Sequence, residues 1–198
     1  MSQIRKRLDQ ILPEIKKKDF LNNKGLGNEI GFYLFDYDPE DELIVRDHID
    51  FLIRKMNNNP DTADIVEFDL FNIMIEILED KGYLEKTFKM EEKSGSQKMI
   101  KKIKTTLSLK SNARLFTNYI SERVEENQII FITGVGKAWP IVRSHTVLNN
   151  LHPEIEDNPL VMFFPGSYDG ASLSLFGDIH DDNYYRAFSL VPRKDSVI

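Results

Sequence analysis

Residues 129–145 read IIFITGVGKAWPIVRSH, and the way this stretch uses its glycines decides both the fold class and whether the chain handles nucleotides. Ile129 to Thr133 is an unbroken run of β-favouring residues, the composition of a strand buried on both faces. A Gly-Val-Gly-Lys turn follows, and then a stretch over Ile141–Leu151 whose spacing predicts a helix. Strand, glycine turn and helix make the order of a βαβ unit, and such units build parallel sheets. Phosphate-binding loops share that order, so the letters need testing one by one. A P-loop needs Gly, four residues, then Gly-Lys and a hydroxyl residue, because backbone amides wrap the phosphates and the hydroxyl holds magnesium. Here the first glycine's position falls on Phe131 or Ile132, inside the strand, and Ala138 stands where the hydroxyl belongs. A dinucleotide fingerprint would need a third glycine where Trp139 stands. The stretch is therefore read as a strand-to-helix turn whose glycines relieve backbone strain and whose Pro140 opens the helix at its first position.

Working outward, the same alternation of strand and helix recurs. Ser2 caps a predicted N-terminal helix over 2–18, with Ile4, Leu8, Ile11, Leu12 and Ile15 on one stripe and Pro13 as a kink or break. Ile30 to Tyr37 (IGFYLFDY) reads as a buried strand and Leu43 to Met56 as a helix. Asp64 opens a second unit, in which IVEF is a short strand and LFNIMIEILEDKGYLEK a helix closed by Gly82. Lys89 to Gln97 (KMEEKSGSQ) is polar around Ser-Gly-Ser and is read as a surface loop. Helical spacing resumes at Met99, Ile100, Ile103 and Leu107, and again at Leu115, Phe116, Tyr119 and Ile120, giving a lysine-rich helical segment over residues 97–125 with a break near Ser111-Asn112. After the central turn come three more strand-like runs, LVMFF ending at Pro165-Gly166, SLSLFGDI and YYRAFSLV. The last two, joined by HDDN, predict an antiparallel edge hairpin. The sum is one α/β domain over 1–198, with a mostly parallel central sheet of about five strands and helices on both faces.

Composition narrows the function. With 41% hydrophobic and 29% charged residues the chain has the make-up of an ordinary soluble protein. No apolar run reaches the ~18 residues of a membrane span, and MSQIRKRLDQILPEI lacks the apolar core of a secretory signal, so a cytoplasmic location is expected. The absence of cysteine excludes disulfides, thiolate catalysis and sulfur-bound zinc. A net charge of -6 opposes bulk attraction to nucleic acid.

Each candidate for chemistry falls short of a complete set. The acidic turn DYDPEDE groups Asp36, Asp38, Glu40, Asp41 and Glu42 at a helix start, where carboxylates favour the dipole but repel phosphate. Its spacing matches no calcium loop, so a solvated cap with Asp38 or Asp41 capping the helix is the simpler reading. Metal-dependent nucleases pair an Asp with Glu-x-Lys on adjoining strands, whereas Pro60-Asp61 and Glu92-Lys93 are expected in loops. His48, His145, His152 and His180 show no ligand spacing, and Gly166-Ser167-Tyr168-Asp169-Gly170 lacks the spacer of a nucleophile elbow. No catalytic residue, metal site or cofactor is expected. Lys98, Lys101, Lys102, Lys104, Lys110 and Arg114 form an acid-free basic run fit for nucleic-acid phosphates or an acidic partner, with no aromatics for base stacking.

Taken together, ITGVGKAWPIVRSHTVLNNL, NPLVMFFPGSYDGASLSLFG, DDNYYRAFSLV, FYLFDYDPEDELIVRDHI and IVEFDLFNIMIEILEDKG resemble the BrxB family of BREX (bacteriophage exclusion) defence systems. The resemblance spans Gly27 to Val191 and is least characteristic from Met90 to Ser111. It implies a small cytoplasmic bacterial protein that works with other BREX components, with the alkaline-phosphatase-like protein PglZ as a close partner and no established catalytic residues. The strand and helix order also resembles a P-loop-type ATPase core without a working phosphate loop, a likeness of fold alone. The expected function is a non-catalytic adaptor, with nucleic-acid contact through the lysine-rich helix as the alternative. Trp139, Arg143, Phe164, Tyr168, Tyr184, Tyr185 and Arg186 are the candidate partner-binding residues, because Trp, Tyr and Arg supply most anchor energy at interfaces. Asp169 or Asp178 is a candidate carboxylate for Arg143 or Arg186, should either guanidinium be buried.

Overall fold

The computed structural model describes residues 2–22, 32–107, 114–151, 154–155, 158–181 and 187–193. The chain divides into two compact units, one formed by Met1–Glu67, Glu125–Thr133 and Glu156–Ile198, the other by Phe68–Val124 and Gly134–Ile155.

The first unit carries the sheet. Its helices are α1 (Gln3–Ile15), the short α2 (Lys18–Leu21) and α3 (Glu42–Asn57), and its strands are β1 (Phe32–Tyr37), β2 (Ile65–Asp69, running out of the unit at its end), β3 (Ile129–Thr133), β4 (Leu160–Tyr168), β5 (Leu173–Leu175), β6 (Ile179–Asp181) and β7 (Phe188–Ser189). The main path runs β2-β3-β4-β1-β7, and β5 with β6 extends from β4. β1 pairs parallel with both β4 and β7, and β3 pairs parallel with β4. The fold is α/β with a mostly parallel central sheet, and among the described residues it has seven strands where the sequence predicted about five.

Alternation along the strands explains the packing. Phe35 and Tyr37 of β1, Ile129 and Phe131 of β3, and Val161 and Phe163 of β4 share one core with Ile4, Leu8, Ile11 and Ile15 of α1 and Val45, Ile49, Leu52 and Met56 of α3. Phe163 sits at the centre, its ring 5.8 Å from Phe35 and 5.0 Å edge-on to Phe131. The intervening residues Leu34, Ile130, Ile132 and Met162 are buried as well, which is why these strands read as continuous apolar runs. Pro13 does not split α1, which continues two residues past it and ends at Ile15; the proline is exposed.

The edge hairpin lies earlier than the sequence suggested. SLSLFGDI is itself a hairpin, β5 against β6, with Leu175 opposite Ile179. Phe176 and Gly177, at φ 55 and 83, turn it, and the Asp178 amide donates to the Leu175 carbonyl at 3.3 Å. Two consecutive positive φ values are what a tight hairpin turn requires. β7 is no partner in that hairpin but lies parallel to β1. At β4 the chain comes so close to β5 that a Cβ on Gly166 would strike the backbone carbonyl of Ser174, so only glycine serves there.

The second unit is helical: α4 (Leu70–Asp80), α5 (Leu84–Ser94), α6 (Ser96–Thr106), α7 (Arg114–Ser121), the single turn α8 (Val135–Ala138) and α9 (Ser144–Leu151). Gly82, at φ 64, ends α4 as its sequence position predicts. Lys89–Ser94, expected in a loop, is the second half of α5, and Glu92-Lys93 therefore lies on a helix. Its polar residues were misleading because a helix exposed along most of its length needs few apolar ones. Gly95, at φ 78, separates α5 from α6, so the two form a helical hairpin. The lysine-rich segment is thus α6 and α7, and the expected break near Ser111-Asn112 falls outside the described residues. Among the described residues no helix is long and apolar enough to cross a membrane.

Candidate functional site

The Gly-Val-Gly-Lys turn is occupied by the chain's own carboxylate. Asp69 caps α4, its Oδ1 accepting from the amides of Phe71 at 3.0 Å and Asn72 at 3.1 Å. Its Oδ2 is paired with the Lys137 ammonium. Gly134 is left-handed at φ 69, and a Cβ there would lie 2.6 Å from Asp69 Cγ. The glycine is needed both for its backbone angle and to admit this side chain. The lysine that resembled a phosphate ligand is therefore already matched by an internal anion, and a second anion would meet Asp69's charge.

Pro140 does not open a helix. The Ala138 amide donates to the Gly134 carbonyl at 2.9 Å, so α8 begins at once after the glycine and ends at Trp139, extended at φ -70, ψ 142. A residue before proline is pushed towards that extended region. The Trp139-Pro140 peptide is cis, and α9 starts only at Ser144.

The acidic turn after β1 is organised by two arginines, neither of which stood out in the sequence. Arg7 of α1 donates from Nη2 to Asp36 Oδ1 at 2.8 Å, from Nη1 to the Asp36 carbonyl at 2.6 Å, and from Nε and Nη2 to the Val191 carbonyl at 3.2 and 2.7 Å. Arg193 donates from Nε to Asp36 Oδ2 at 2.7 Å, from Nη1 to Asp38 Oδ1 at 2.7 Å and from Nη2 to the Gly166 carbonyl at 2.8 Å. The Arg7 and Asp36 side chains are 8% and 5% exposed, so the pair tolerates burial only because nearly every donor and acceptor is met. Arg7 also lies 4.6 Å over the Phe35 ring. Burial pulls its guanidinium below the ordinary value against Asp36's attraction. For Arg193 burial acts in the same sense, but the bonds to Asp38 and Asp36 outweigh it and the shift is upward. Neither expected cap forms: Asp41, at the start of α3, makes no capping side-chain bond, and the Asp38 side chain is drawn to Arg193. Glu42 instead accepts from the Tyr37 hydroxyl at 2.6 Å and from Arg46 at 2.9 Å.

The expected partner-binding residues separate by exposure. Trp139 is 39% exposed and Arg143 is also exposed. Phe164 is 2% exposed and belongs to the interior, so it is withdrawn as a surface anchor; a strand apolar on both faces buries it. Tyr168 is half-buried and its hydroxyl donates to the Ala187 carbonyl at 2.8 Å. Asp169, a candidate carboxylate for Arg143 or Arg186, accepts from the amides of Ala171 and Ser172 and from the Ser172 hydroxyl. Tyr184, Tyr185 and Arg186 lie outside the described residues, as does Lys110. Of the basic run, Lys98, Lys101 and Lys102 on α6 and Arg114 on α7 are exposed and Lys104 is half-buried.

Sequence reasoning had one readable signal for Arg7 and passed over it: a charged residue three places after Ile4 falls on the apolar stripe of α1. Asp69 preceding an apolar run was readable as a helix cap, but its pairing with Lys137 was not.

A family profile described as BREX protein BrxB matches residues 66–190. The chain is 54% identical over 193 residues to a BREX protein BrxB of Bacillus cereus (strain H3081.97), an alignment covering 98% of this chain and 100% of that protein. It is 38% identical over 188 residues to a BREX protein BrxB of Escherichia coli O9:H4 (strain HS), covering 94% and 90%. No solved structure matches.

Proposed function

This chain belongs to the BrxB family of BREX proteins, and on that premise we propose that it serves a cytoplasmic bacteriophage-exclusion system as a non-catalytic adaptor. In this reading it needs no cofactor and binds another BREX component, with the PglZ-type alkaline-phosphatase-family protein as the first candidate. The observation that carries it is the Asp69 carboxylate seated against Gly134 and paired with Lys137. The part of the chain most like a reactive site spends its lysine on an internal contact. Trp139, exposed at the end of the same turn, and nearby Arg143 are the residue types that anchor protein interfaces. The test is co-purification with the remaining BREX proteins after Trp139→Ala and Arg143→Ala. Loss of the PglZ-type protein by a double variant that keeps its circular dichroism and melting point is expected. Undiminished retention counts against this surface, and magnesium-ATP binding that disappears on Lys137→Ala would overturn the non-catalytic reading.

A second reading is favoured by one feature of α6, which carries Lys98, Lys101, Lys102 and Lys104 and no acidic residue. It makes this face a nucleic-acid contact inside the larger assembly. Retention on DNA or RNA should then fall linearly with salt on logarithmic axes and weaken when Lys98 and Lys101 become glutamine.

A further inference from the structure

We infer that the cleft of the α5–α6 hairpin is a docking groove for an acidic amphipathic helix of a partner protein. The inference rests on the adaptor reading and names the chemistry of the partner. The cleft has a volume of about 220 Å³, with Leu78 of α4 and Ile103 of α6 buried along it, Met90 and Met99 in its walls, and Lys86 and Lys102 as the charged residues among the described lining. All of these belong to the second unit.

Three observations select the occupant. The volume lies below the ~300–1,000 Å³ of small-molecule sites and suits one or two inserted side chains. The lining surface is mainly apolar and includes two methionines, whose unbranched side chains adapt to an inserted helix. Charge within the described lining is one-sided: both charged residues are lysines, and α6 also carries Lys98 and Lys101 with no acid, while Glu85, Glu91 and Glu92 of α5 are not among the lining residues. A helix with apolar residues at positions i, i+4 and i+7, flanked by Glu or Asp, would fill the groove and meet those lysines. α5 supports the same conclusion: none of its residues is buried, and its lining residue Met90 is only half-buried, whereas a stable helix normally covers its apolar side. A nucleic acid would be drawn by the lysines, but Tyr83, the aromatic among the described lining residues, already has the Lys86 ammonium 5.1 Å from its ring centroid, and α6 adds no aromatic on which a second base could stack.

The test uses the full chain and a fluorescein-labelled peptide of about four helical turns with leucines on one face and glutamates on the flanks. Fluorescence anisotropy should show it binding about tenfold tighter than a peptide carrying lysines in place of the glutamates. Lys86→Glu with Lys102→Glu, both on the surface, should reverse the preference by about the same factor. Met99→Glu should abolish binding of either. Equal binding of the two peptides, no binding of the acidic one, or its displacement by a single-stranded oligonucleotide would each overturn the inference. The same lysine variant, taken through co-purification, keeps the two readings apart. If the peptide fails but PglZ-type retention persists and depends on Trp139 and Arg143, the adaptor reading survives without this groove. If the peptide binds as expected but no BREX protein is retained, the groove stands and the adaptor reading falls.

Discussion

Arg7 with Asp36 and Arg193, and Lys137 with Asp69, are two charge clusters of the same chemistry in different surroundings. In the first, the Arg7 and Asp36 side chains are 8% and 5% exposed and the two arginines hold carbonyls of Val191, Gly166 and Asp36 besides the carboxylates. In the second, Lys137 is 33% exposed and pairs with Asp69, itself 14% exposed. Water can replace much of what Lys137 provides; it cannot reach Asp36. The lesson is that resemblance to a reactive motif and physical consequence are distributed in opposite ways in this chain. The cluster with motif-like letters is the replaceable one, and the cluster without them fastens the sheet.

Substitutions can break this contrast. The largest effect is expected from Asp36→Ala, which strands two guanidinium groups with a partly dry environment; urea denaturation should show a loss of about 3–5 kcal/mol. Gly134→Ala comes next. A left-handed non-glycine costs about 1–3 kcal/mol, and displacing Asp69 adds the ~1 kcal/mol of a lost helix cap. Combined with Asp69→Ala, the same change should cost less than the two singles added together, because the clash is gone. Lys137→Ala should cost under about 1 kcal/mol, and the difference from wild type should shrink further in high salt. A Lys137→Ala loss as large as that of Asp36→Ala would show that exposure does not divide the clusters.

The smallest effect concerns a carboxylate outside both. The Ser172 amide, then its hydroxyl, then the Ala171 amide hold the Asp169 carboxyl down at about 2. A folded value below the ~3.9 of an unfolded aspartate means its contribution is present above that value and is lost as pH falls towards about 2. Carboxyl-carbon NMR should place the midpoint there, and Ser172→Ala should move it towards the ordinary range, with little change in global stability because the site is open to water.

Much of the architecture was legible where local signals were strong. Phe32–Phe35, Ile129–Ile132 and Leu160–Phe164 declared themselves as unbroken apolar runs, and α3 runs one residue past its expected bounds at each end. What failed did so for local physical reasons. Phe176 at positive φ hid the β5–β6 turn, since a bulky residue there gives no turn signal. The second half of α5 looked like a loop because the helix buries nothing. Pro140 was assigned to a helix start, though the residue before it is extended. The arginine cluster was illegible for a different reason: Arg7 meets partners 29 and 184 positions away, and no window of sequence contains both.

That separation bears on how the polypeptide is made. A nascent chain that has reached Asn57 already contains α1, β1 and α3, yet both strands that flank β1 are still to be translated. Arg7 must wait for Val191, among the last described residues to leave the ribosome, before its guanidinium is satisfied. Contacts so distant along the chain form slowly, while the hairpin of α5 and α6 closes through neighbours and can assemble during synthesis. Birth order and burial therefore run against each other: the earliest helix to emerge is among the last to be secured.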